Sequence, residues 1–85
     1  SIELNRDGKE FLYQRFSRLG LEVVPSAGNF LLIRVGKGRE IFKKLLPKGV
    51  IVRPLDPYGL PEYIRATVST MGENRKFLRS LEQVL

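Results

Sequence analysis

Residues 49–68 read GVIVRPLDPYGLPEYIRATV, two short apolar runs around a proline-stiffened loop, and this stretch decides the fold. VIVRPL, residues 50–55, reads as a strand. Pro54 has no N–H to give to a ladder, so this strand is short or lies at a sheet edge. DPYGLPE is a loop, set by Pro57, Gly59 and Pro61. YIRATVS alternates Ile64, Ala66 and Val68 with Arg65, Thr67 and Ser69, the period-two pattern of a strand with one buried face.

Upstream, REIFKKLLPKG places Ile41, Phe42, Leu45 and Leu46 on one helical face; Pro47 shortens that helix and Gly49 ends it. GKG at 36–38 is a turn without the spacing or Lys-Ser/Thr ending of a phosphate-binding P-loop. LEVVPS and FLLIRV are two strands separated by Pro25, Ser26, Gly28 and Asn29, the signal of a hairpin with a loop longer than two residues. FLLIRV is nearly continuously apolar and is expected at the sheet centre with both faces covered. Residues 2–19 form a helix with Leu12, Phe16 and Leu19 in its stripe and Phe11 widening it. Gly8 costs about 1 kcal/mol in a helix interior, which places the start of the ordered helix near it. Gly20 stands at the C-terminal cap position. Downstream, Thr70 followed by Glu73 fits a capping box opening a last helix with Phe77, Leu78, Leu81, Val84 and Leu85 as its apolar stripe. The order αββαββα predicts an α+β two-layer domain, with helices packed on a mainly antiparallel four-stranded sheet.

The chain has 85 residues, one small domain's worth, with 42% hydrophobic and 28% charged residues. Neither cysteine nor histidine is present, which excludes disulfides and thiolate catalysis and removes the commonest general base and zinc ligand. No apolar run reaches the roughly 18–20 residues of a membrane span, and no signal peptide is visible. The start at Ser1 and the patterning that follows at once suggest an excised segment of a larger protein. A net charge of +6 and a pI of about 10.1 suit anionic ligands or a nucleic-acid surface. The basic residues, however, are spread along the chain with no dense run.

Arg53 and Arg65 are the residues with chemistry to offer. Each interrupts an apolar strand with a permanently charged, planar donor fork matched to carboxylate or phosphate. Ile64 and Ala66 on either side of Arg65 suggest a place near the interior face of the sheet. The pattern alone leaves a second reading open, an arginine on the polar side of an alternating strand; Arg34 in FLLIRV is read that way. Tyr58 in the DPYGLP loop is placed to cover a ligand, although the two prolines also explain that loop as a stiff connection. Asn29 fits a turn-capping role. Glu10, Glu22, Glu40, Asp56, Glu62, Glu73 and Glu82 read as solvated charges, with no carboxylate pair spaced for acid–base work and no metal site.

The ordered set LGLEVVPSAGNFLLIRV (19–35), KGVIVRPL (48–55), YGLPEYIRATVST (58–70) and ENRKFLRSLEQVL (73–85) resembles the C-terminal end of histidinol-phosphate aminotransferases, which are fold-type I pyridoxal-phosphate enzymes. The resemblance covers nearly the whole chain. It implies that residues 1–85 are the small C-terminal domain, which packs on a large cofactor domain of the same parent chain. It implies that Arg65 and Arg53 bind substrate, with Asn29 and Tyr58 as supporting residues and no catalytic or cofactor-binding residue here. The parent reaction would convert histidinol phosphate and 2-oxoglutarate to imidazole acetol phosphate and glutamate, in histidine biosynthesis. The parent would be a cytoplasmic homodimer using pyridoxal 5'-phosphate. The lysine that bonds the cofactor and the aspartate that faces its ring nitrogen lie upstream in such enzymes, so this piece alone is expected to be inactive. The nearest rivals are a related aromatic aminotransferase and a threonine-phosphate decarboxylase. From other classes come a basic α+β nucleic-acid module, which lacks an RNP signature and adjacent exposed aromatics, and a small ligand-sensing domain.

Overall fold

Helix α1 (Ile2–Arg18) is followed by strands β1 (Val23–Pro25) and β2 (Phe30–Arg34) and by helix α2 (Gly38–Leu45). A 3-10 turn at Leu46–Lys48 leads to β3 (Arg53–Pro54), a second 3-10 turn at Asp56–Tyr58, β4 (Tyr63–Thr67) and helix α3 (Met71–Val84). The computed structural model describes residues 2–85, with side chains from residue 6 onward. The four strands form one antiparallel sheet in the order β1-β2-β4-β3. The expected α+β two-layer architecture and its αββαββα order are present.

Alternation along the central strands sorts their side chains between two faces. Leu31 and Ile33 of β2, and Ile64 and Ala66 of β4, are buried with Leu12 and Phe16 of α1, Ile41 and Leu45 of α2, and Phe77, Leu78 and Leu81 of α3. Phe16 and Phe77 meet edge to face, with centroids 5.2 Å apart. The intervening residues Phe30, Leu32, Tyr63 and Arg65 keep partial exposure on the other face. β2 is therefore central, as its apolarity suggests, but within this chain its second face is open. Its unbroken apolar run reflects one fully buried face and one half-buried one.

Two backbone approaches explain glycines that pattern alone misreads. α1 continues through Gly8 instead of starting near it, because the helix lies close to the N-terminal end of α3: a Cβ at Gly8 would stand 2.6 Å from Asn74 Nδ2 and 3.0 Å from Val68 Cγ1. Asn74 is buried and closes this corner by accepting from the Ser69 N–H at 2.9 Å and donating to the Ser69 carbonyl at 3.2 Å. Gly38 begins α2 against β4 and donates its N–H to the Pro61 carbonyl at 2.9 Å. A Cβ there would meet the Tyr63 carbonyl oxygen at 2.5 Å and that of Pro61 at 3.0 Å. Gly38→Ala should therefore destabilise the chain by about 1–3 kcal/mol through overpacking, outweighing the ~1 kcal/mol that helix propensity favours alanine. A lowered urea midpoint is the expected result; an unchanged or raised one would show that the backbone relaxes freely.

The remaining ends follow from local chemistry. α1 ends as Leu21 N–H returns to the Phe16 carbonyl at 3.1 Å and Gly20 N–H to that of Ser17 at 3.0 Å, the double closure of a Schellman turn. Pro47 falls inside the short 3-10 turn that follows α2. β3 is only two residues long and lies at the sheet edge, consistent with the donor missing at Pro54; Val50, Ile51 and Val52 of the expected strand run outside the ladder. The loop after β3 contains its own 3-10 turn. Thr70 caps α3 by accepting from the Glu73 N–H at 3.2 Å.

Candidate anion site on the open sheet face

The antiparallel register sets Arg53 of β3 directly opposite Arg65 of β4. Arg65 in turn lies opposite Leu32 of β2, and Leu32 opposite Val24 of β1. Directly paired residues share a face, so Val24, Leu32, Arg65 and Arg53 form one row across the open side. Arg65 does not approach the interior face, as its apolar neighbours suggested. Ile64 and Ala66 take that face, and alternation turns Arg65 outward. The geometry is that of an arginine on the polar side of a strand, but on a side shared with Arg53 of the neighbouring strand.

The sheet supports both groups. The Arg65 guanidinium carbon lies 4.4 Å from the centroid of the Phe30 ring, a cation–π distance. Phe30 pairs with Thr67, two residues on from Arg65, so the contact is the diagonal one of an antiparallel pair. Arg53 donates from Nη1 to the Tyr58 hydroxyl at 3.4 Å. Arg53 and Arg65 line an open concavity of ≈ 340 Å³ together with Ile51, Val52, Pro54 and Thr67. Asn29 lies outside it, in the β1–β2 turn, and contributes its backbone carbonyl, which accepts from the Val68 N–H at 2.6 Å. The turn is tied down by Lys9, whose ammonium donates to the carbonyls of Ser26 and Gly28.

Two neighbouring arginines, Arg34 of β2 and Arg39 of α2, are neutralised by acids. Arg34 meets Glu62 through two bonds of 3.2 Å and Glu22 at 3.6 Å, and Tyr63 donates its hydroxyl to Glu22 at 2.7 Å. Arg39 meets both oxygens of Asp56, at 2.6 and 2.8 Å. Glu22, Glu62 and Asp56 are thus tied into the sheet and loop instead of being merely solvated. The bond to Arg39 holds the Asp56 carboxyl below its ordinary value, and the bond to Glu22, with some burial, raises the Tyr63 phenol above its own. A carboxylate so depressed contributes stability above the unfolded value of about 4 and loses it as pH falls through the folded one. Among the described residues, Arg53 and Arg65 have no such acid partner. Like charges directly opposite on paired strands repel; an anion seated between them reverses the sign of that interaction. The two donor forks suit an oxygen-rich anion such as a carboxylate or phosphate.

The groups that this chain gathers at the concavity suit anion binding. Its lysines stand away from the concavity, on helices or in turns: Lys9 is engaged as above, Lys48 donates to Gln83 and Lys37 pairs with Glu40. Among the described residues no cluster of acids suits a metal ion, and no helix is long and apolar enough to cross a membrane. Phe30 beneath Arg65 and the Arg39–Asp56 pair are contributions that sequence reading missed. The first depends on strand register and the second joins residues 17 positions apart.

Residues 6–81 match the family model "Aminotransferase class I and II". A histidinol-phosphate aminotransferase of Akkermansia muciniphila is 46% identical over 85 residues, covering 100% of this chain and 23% of that protein. Histidinol-phosphate aminotransferase 1 of Dechloromonas aromatica is 49% identical over 85 residues, again covering 100% of this chain and 24% of that protein. The solved L-threonine-O-3-phosphate decarboxylase of Porphyromonas gingivalis superposes with a TM-score of 0.81 at 28% identity, covering 93% of this chain and 26% of that one. The chain spans about a quarter of the length of the curated relatives it matches.

Proposed function

Since this chain belongs to the class I and II aminotransferases, we propose that it is the small, substrate-binding domain of an enzyme transferring an amino group from histidinol phosphate to 2-oxoglutarate. The products are imidazole acetol phosphate and glutamate. The observation that carries this reading is the direct opposition of Arg53 and Arg65 across β3 and β4, with no carboxylate between them among the described residues. The relatives named above support it, since both curated ones are named for a phosphate-bearing substrate.

Arg65, backed by Phe30, and Arg53, beside Tyr58, together receive the anionic end of the substrate. A phosphate monoester supplies up to two negative charges and several acceptor oxygens, enough for both forks. The side-chain carboxylate of glutamate takes the same place in the other half-reaction, which lets one cationic pocket serve both substrates. Anchoring the anionic tail fixes how far and at what angle the amino end projects, so that tail binding contributes to orientation of the reacting group. Pyridoxal phosphate, when bound in the whole enzyme, supplies the electron sink for amino transfer. The residues of this chain do not fit it as holders, since no lysine of the chain lines the concavity of Arg53 and Arg65. The large domain, the homodimer and the cytoplasmic location that the resemblance implies belong to the same proposal.

The test is turnover by the full-length enzyme. Glutamate should form from 2-oxoglutarate with histidinol phosphate, and far more slowly with unphosphorylated histidinol. Equal use of both would discard the anion pocket; carbon dioxide release from threonine phosphate would favour the decarboxylase instead. Within that assay Arg53→Ala should raise KM for the phosphate ester about tenfold, with a smaller change in kcat, as expected for one exposed charge-assisted contact to the unreacting end.

A further inference from the structure

Arg39 and Asp56 form the shortest ion pair among the described residues, and its place in the fold gives it a consequence for the anion site. Arg39 stands in the first turn of α2, and its Nε and Nη2 donate to the two oxygens of Asp56 at 2.6 and 2.8 Å. Asp56 opens the 3-10 turn that ends at Tyr58. That turn is anchored at its base by Leu55, which is buried, donates its N–H to the Tyr63 carbonyl at 3.2 Å and accepts from Tyr58 and Leu60 N–H. Tyr58 itself is 65% exposed, so packing does little to hold its ring. Its hydroxyl nevertheless lies at 3.4 Å from Arg53 Nη1. The turn closes on itself as Gly59 N–H returns to the Asp56 carbonyl at 3.1 Å, and among the described residues the Arg39–Asp56 clamp is the side-chain ion pair that ties it to α2.

We propose that Arg39 and Asp56 are positioning residues: by clamping the 3-10 turn they set the Tyr58 hydroxyl beside Arg53 and preset its guanidinium for the substrate anion. The proposal rests on the reading of Arg53 as an anion-binding group. The clamp pairs two N–H groups of Arg39 with both oxygens of Asp56, the geometry in which a partly exposed ion pair holds its partners in place. Its role is to remove alternative rotamers of Arg53 before the ligand arrives, so the effect belongs to binding and not to the chemical step.

The experiment is a kinetic double-mutant cycle in the full-length enzyme with histidinol phosphate as the varied substrate. Asp56→Asn, which keeps the shape and removes the charge, and Arg39→Gln should each raise KM about 3- to 10-fold with kcat changed less than about twofold. Tyr58→Phe should give a similar rise. Adding Asp56→Asn to Tyr58→Phe should add almost nothing, because both act through one contact. A loop that merely loosened would give additive effects, which would overturn the proposal. So would an unchanged KM in Asp56→Asn and Arg39→Gln while Arg53→Ala raises it. If Arg53→Ala itself leaves KM unchanged, the reading on which the clamp rests fails first.

Discussion

Alanine at position 65 of the full-length enzyme should lower kcat/KM for the phosphate-bearing substrate by about 100-fold, the larger of the two arginine effects. Arg65 differs from Arg53 in its surroundings. It lies on β4, between β2 and β3, and is half-buried, whereas Arg53 is exposed on a two-residue edge strand. Its guanidinium is backed by the Phe30 ring at 4.4 Å, which limits its rotamers and shields one face from water. Hydrogen bonds to charged groups contribute about 1.5–3 kcal/mol each, most where water is excluded, and about 1.4 kcal/mol is a factor of ten. Under the proposed function the effect should fall on both half-reactions, since glutamate and the phosphate ester would share this guanidinium. Arg65→Lys should recover only part of it, because an ammonium keeps the charge but not the planar fork. Steady-state kinetics with each substrate check this; full activity in Arg65→Ala would remove Arg65 from the site.

The largest stability loss is expected from Phe16→Ala, about 3–5 kcal/mol. Phe16 is fully buried and packs edge to face on Phe77 of α3, within the cluster that also holds Leu31, Ile33 and Ile64 of the sheet. Its removal leaves a cavity where α1, α3 and the sheet meet, bounded by secondary-structure elements that cannot all move inward. Small domains have only about 5–15 kcal/mol to lose. Urea unfolding followed by circular dichroism should show a much lower midpoint or an unfolded chain. A shift below about 1 kcal/mol would mean that the three elements collapse around the gap.

Much of this architecture could be read from period and punctuation. The stripes of Leu12 and Phe16, and of Phe77, Leu78 and Leu81, mark α1 and α3, and the alternation around Ile64 and Ala66 marks β4. Those signals are local. Gly8 escapes such a reading because its reason lies 66 residues away in the close approach of Asn74. The covering of β2 escapes it too, because an apolar Phe30 or Leu32 does not say whether a second layer belongs to the same chain. The residue types of the candidate site were legible as two arginines in apolar strands, and the family resemblance named both as substrate-binding, but the pattern alone did not place them opposite each other. The pairing of Arg53 with Arg65 is a matter of register, which a one-residue slip would reverse. Phe30 beneath Arg65 and Asp56 against Arg39 depend on the same tertiary placement.

Whether Arg53 and Arg65 share one anion is best decided by inhibition of the full-length enzyme with inorganic phosphate, measured for Arg53→Ala, Arg65→Ala and the double variant. Two guanidiniums on one ligand predict strong coupling, with the double variant losing at least about tenfold less than the product of the two single losses. Losses that multiply, or a phosphate affinity untouched by either substitution, would contradict a common pocket.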